Sequence, residues 1–131
     1  MKVLVIDGQG GKLGKQLVEM VRAARPQAHI TAVGTNSAAT ATMLKAGADQ
    51  AATGENAVIV ACRRAEVILG PLGIVIADAL LGEITPAMAQ AVGQAEARRI
   101  LIPVGRCENL VAGVGDKPVT ALLEDAIRLL P

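Results

Sequence analysis

Four glycines, Gly8, Gly10, Gly11 and Gly14, fall within the phrase "DGQGGKLG" directly after the apolar run "KVLVI". Each glycine in a folded segment loses more freedom than any other residue, so such a density needs a structural return. One return is a phosphate-binding turn. Gly8 permits a tight reversal, and Gly10 and Gly11 let backbone N–H groups approach a phosphate. Gly14 lets a following helix lie close to the strand. The helix N-terminus adds unpaired donors and the positive end of its dipole. The competing reading is a tight strand-to-helix joint with no ligand. The spacing is G-x-G-x-x-x-G, a variant of the dinucleotide fingerprint, with Leu13 where the strict motif has glycine. Gln9 stands where a P-loop would place its first glycine, which argues against triphosphatase chemistry of that kind. Gln9 and Lys12 complete the set of turn residues expected around the ligand.

A second group of candidates is Thr35, Asn36 and Ser37 in "GTNS". A ribose 2′-hydroxyl is ordinarily held there by an acid. No acid occurs in this phrase, which favours NADP, or a mononucleotide, over NAD. The arginine expected beside a 2′-phosphate is missing too, and Ser37 or Asn36 also suits a helix cap. Gly70 and Gly73 in "GPLG" offer permissive backbone for the other half of such a ligand. Two residues carry catalytic chemistry: Glu55 in "TGEN" as an acid or base, and Cys107 in "GRCEN" as a nucleophile with Arg106 beside it. Each has a plainer reading, Glu55 as a helix start and Cys107 as an incidental thiol. Asp7, Asp78 and Glu83 are further acids of the same rim. The lone His29 begins a strand and belongs at the opposite end. No metal-ligating cluster is visible.

The elements that must position these residues alternate. "KVLVID" (2–7), "HITAVGT" (29–35), a short segment near Gln50–Thr53, "EVILG" (66–70) and "RRILIPV" (98–104) read as strands. Between them, helical spacing runs from Leu13 to Ala24, over 37–48 and over 55–65, and "PVTALLEDAIRLL" forms a C-terminal helix. "GIVIADALLG" and "PAMAQAVGQAEA" read as two helices broken between Gly82 and Pro86. The expectation is one domain, 1–131, of the α/β class: a three-layer, Rossmann-like, open and mostly parallel sheet with helices on both faces. Ligands of such sheets bind outside the carboxyl ends of the strands, where all these phrases fall.

Composition narrows the partners. The chain has no Phe, Tyr or Trp and a net charge of only +1, so it lacks both the stacking platforms and the basic footprint of a nucleic-acid binder. Dehydrogenases that use a tyrosine acid are excluded on the same ground. No apolar run is long enough for a membrane span and no leader pattern opens the chain, so a cytoplasmic location is expected. The apolar stretch 72–82 is expected to be buried partly against a second copy, giving a homodimer or a higher homo-oligomer; the alternative is a central helix buried wholly within one chain.

Together, "VIDGQGGKLGKQLVE", "VGTNSAATATMLKAGA", "ATGENAVIV", "EVILGPLGIVIADALLGEITPAMAQAV" and "ILIPVGRCENLVAGV" resemble a family of small uncharacterised bacterial proteins, a domain of unknown function. The resemblance covers roughly residues 2–115 and implies that the joints form one signature, without assigning an activity. The leading expectation is a nucleotide-binding protein. The alternative is a small oligomeric enzyme using Glu55 or Cys107.

Overall fold

The computed structural model describes residues 1–105 and 109–131. Five strands, β1 (Lys2–Asp7), β2 (His29–Gly34), β3 (Gln50–Thr53), β4 (Val67–Pro71) and β5 (Arg98–Ile102), form one parallel sheet in the order β3-β2-β1-β4-β5. The helices are α1 (Lys12–Ala24), α2 (Ser37–Lys45), α3 (Glu55–Arg64), α4 (Pro86–Gln94) and α5 (Val119–Arg128).

The apolar run of β1 is continuous because the strand is covered on both sides. Val3 and Val5 pack with α1, α2 and α5, while Leu4 and Ile6 pack with α3 and α4. Full burial of each such side chain stabilises by about 1.5–3 kcal/mol, so this central strand anchors both layers. Val, Ile, Leu and Ala, with Met43, Met88 and Cys62, fill the two cores, and no aromatic is among them. The expected α/β sandwich, its parallel sheet and its two helical layers are all present.

One element differs. The segment 72–82 is not a helix: a 3₁₀ turn covers Leu72–Val75 and turns fill the rest. The chain anchors Ile74 and Ile84 in the core, both essentially without solvent exposure, and doubles back between them. The Asp78 N–H donates to the Ile84 carbonyl at 2.7 Å, and Asp78, Leu80, Leu81 and Gly82 all have positive φ. Burial of the two isoleucines and the return path overrides the helical tendency of the alanines and leucines between them. The helix expected over this stretch is therefore absent.

Candidate functional site

Going outward from β1, the connection to β2 runs to one side of the sheet and β4 lies on the other. The carboxyl ends of β1 and β4 thus flank the topological switch point, where open α/β sheets hold ligands. A cleft of about 520 Å³ opens there, lined by the turn Gly8–Lys12 with Pro71, Leu80, Val104 and Thr120. A larger hollow of about 670 Å³ lies between the flanks of α3 and α4 but includes none of the turn residues.

The turn is built by one carboxylate. Asp7, buried at the end of β1, accepts from the Gly8 N–H at 2.8 Å through Oδ1 and from the Gly14 N–H at 2.7 Å through Oδ2. The Gly11 N–H closes onto the Gly8 carbonyl at 2.9 Å. Burial pushes the Asp7 carboxyl above its usual range; the two backbone bonds oppose this and the charge of Glu83 adds to it.

The glycines divide by task. A Cβ on Gly8 would fall 2.6 Å from Thr35 Oγ1, and one on Gly11, at φ +76°, would fall 2.9 Å from Ala39 Cα. Gly14 lets α1 meet β1 and α2, since its Cβ would collide with Met43 and come 2.8 Å from Asp7 Cβ. Of the four glycines of the turn, Gly10 is the one that faces open space. Among the described residues, no protein acceptor takes the N–H groups of Gly10, Lys12 or Leu13. The first residues of α1 and α5 border the cleft; neither helix is capped by its own N-cap residue, and in α1 the Asp7 carboxylate takes only the Gly14 amide of the first turn. Orphan amides and two positive dipole ends therefore border the same space.

Beside the cleft stands Glu83, a residue that its sequence context marks only as one more acid. Its Oε1 accepts from the Thr35 hydroxyl at 2.6 Å, the Asn36 amide at 2.7 Å and the Gln9 N–H at 3.0 Å. The Thr35 bond, aided by those of Gln9 and Asn36, holds its carboxyl below the ordinary range against the cost of desolvation. Asn36 also caps α2, accepting from the Ala39 N–H at 2.9 Å, and donates to the Gln9 carbonyl at 2.9 Å.

The structure thus gathers Gly8, Gln9, Gly10, Gly11, Lys12, Thr35 and Asn36 into one cluster. Ser37 follows as the exposed first residue of α2. Gly70 lies within β4, where a Cβ would come 2.5 Å from the Ile6 carbonyl, and Gly73 packs against Ala79; neither lines the cleft. Glu55 opens α3 away from the cleft and accepts from the Thr85 hydroxyl at 2.5 Å, while Thr85 caps α4. Cys107 and Arg106 lie outside the described residues. His29 starts β2, at the far end of the sheet from the turn. Burial pushes the Cys62 thiol up to about 11. Among the described residues no group of side chains could hold a metal ion, and no helix is long and apolar enough to cross a membrane.

The two carboxylates set opposite pH dependences. Glu83, with its folded value lowered from 4.5, contributes stability that is present above about pH 4.5 and is lost as pH falls through the folded value. Asp7, raised from 3.8, does the reverse: its contribution is full below about pH 3.8 and is lost as pH rises through the folded value. Urea midpoints across the acid range should therefore move in favour of Glu83→Gln, relative to the natural chain, as pH falls. They should move in favour of Asp7→Asn as pH rises. Parallel curves for either pair would refute that assignment.

No curated protein matches the sequence. Among solved structures, the chain is similar to the dodecameric FMN-dependent Ubix-like decarboxylase from Escherichia coli O157:H7, with 15% identity and a TM-score of 0.45 over 97% of this chain and 90% of that one. The sequence model described as "Domain of unknown function (DUF3842)" matches residues 2–131, spanning the glycine turn, the Glu83 segment and the C-terminal helix alike. The chain belongs to the DUF3842 family.

Proposed function

We propose that the protein binds a nucleotide, or a related ligand bearing phosphate, in the cleft between β1 and β4. The observation that supports this most is the convergence on one cleft of the unpaired amides of Gly10, Lys12 and Leu13 and the N-terminal ends of α1 and α5. Lys12, exposed at the start of α1, adds a cation at the same border. The phosphates would lie on the free amides of Gly10, Lys12 and Leu13. Of the pyridine nucleotides, the residues Gly34–Ser37 taken alone favour NADP; the approach of Glu83 to that joint changes the balance, as argued below. Thermal-shift and calorimetric titration with NAD, NADP, ATP, GTP and flavin nucleotides tests the reading. A rise in melting temperature with at least one of them is expected, and no shift at millimolar ligand would refute it.

We propose further that the protein is a homo-oligomer. Leu81 and Leu110 are 95% and 96% exposed, and Leu81 sits on the turn of positive φ beside the cleft. Light scattering at micromolar concentration should give at least a dimer mass, and a monomer mass would contradict the proposal. The alternative of an enzyme working through Glu55 or Cys107 predicts a turnover that Glu55→Gln or Cys107→Ser abolishes while nucleotide affinity stays intact.

A further inference from the structure

The joint after β2 has no acid of its own, yet a carboxylate stands on it. Glu83 arrives from the segment after β4, 48 positions beyond Thr35. It is fixed there by donors from two separate joints, Gln9 from the first and Thr35 and Asn36 from the second. Its two oxygens are unequal. Oε1 takes three donors within 3.0 Å, whereas Oε2 has only the longer 3.2 Å contact from the Gln9 N–H. Oε2 therefore retains lone pairs for a further donor. Among the described residues Glu83 is in no ion pair, and its side chain is half-buried. An uncompensated negative charge with spare acceptor capacity thus borders the glycine turn.

We propose that Glu83 makes this site select a nucleotide whose ribose bears free 2′- and 3′-hydroxyls and reject one carrying a 2′-phosphate. In doubly wound sheets, an acid near the end of the second strand accepts a hydrogen bond from such a hydroxyl. Here the same chemistry is delivered through space by a distant loop. A ribose diol donates to Oε2 and gains a charge-assisted bond. A 2′-phosphate near neutral pH has little to donate and meets like charge at close range. The ligand's diphosphate would remain on the amides of Gly10, Lys12 and Leu13 and on the Lys12 ammonium, so the two ends of the site sort opposite charge preferences. The selectivity is the reverse of the one that Gly34–Ser37 suggest by themselves.

This inference rests on the nucleotide reading above, and the experiment separates the two. Calorimetric titration of the full chain is expected to show NAD binding at least about tenfold more tightly than NADP, and than NAD lacking its 2′-hydroxyl. Glu83→Gln removes the charge but keeps an acceptor oxygen for Thr35 and Asn36, and should erase or invert the NAD-to-NADP ratio. If that variant fails to fold, the 2′-deoxy comparison on the natural chain carries the test. A natural chain that prefers NADP, a ratio unchanged in Glu83→Gln, or indifference to the 2′-hydroxyl would overturn the role of Glu83 while leaving the cleft reading intact. Failure of the natural chain to bind any nucleotide would overturn both.

Discussion

Gly14→Val is expected to destabilise the fold by about 3 kcal/mol, the upper end of what overpacking in a close-packed interior costs. A Cβ at this position would strike the Met43 sulfur and lie 2.8 Å from Asp7 Cβ. Met43 is the far end of a flexible side chain and can yield in part. Asp7 cannot, because both its oxygens are bound to the turn it would have to leave. Pushing α1 away would also stretch the 2.7 Å bond from the Gly14 N–H and leave a buried carboxylate short of a donor. Gly14→Ala should cost less, since alanine recovers up to about 1 kcal/mol of helix propensity. Urea unfolding at neutral pH measures both variants. A double variant with Met43→Ala should fall short of additivity, because the two changes share one contact. An unchanged midpoint for Gly14→Val would mean that α1 slides freely over the sheet.

Gly10→Leu should leave the fold untouched and remove the ligand. Nothing lies within 4 Å of the Cβ position, and the φ there is not in the left-handed region. The side chain would project into the cleft over the free N–H groups on which phosphate would lie. A loss of about 100-fold or more in nucleotide affinity is expected, close to 3 kcal/mol. Gly11→Ala makes the contrast: its φ of +76° and its approach to Ala39 should lower stability directly. Full affinity in a stable Gly10→Leu variant would place the phosphates elsewhere.

Much of this architecture is legible from periodicity alone. β1 announces itself by an unbroken apolar run, and α5 by its single apolar stripe. Gly14 is readable too, since a glycine one turn into a helix that follows a strand signals close packing. What escapes is what depends on tertiary distance. The apolar content of 72–82 is equally compatible with a helix and with a folded-back loop, and the anchoring of Ile74 and Ile84 settles the choice. The same limit hides Glu83. Its partners Gln9, Thr35 and Asn36 lie 47 to 74 positions away, and no local spacing could link them. Gly8 likewise reads as the pivot of a tight turn, whereas it also makes room for Thr35.

The strand order has a consequence for the way the chain is made. β1 is synthesised first but occupies the middle of the sheet, between β2 and β4. Its β2 edge can be satisfied once residue 34 is available, but its other edge waits until 67–71 have emerged. At about 5–20 residues per second, that interval lasts seconds, during which Leu4 and Ile6 have only part of their cover. Nascent chains ending near Arg64 should therefore be sticky and protease-sensitive. Chains that include β4 should become protected abruptly, as the second half closes over the first strand.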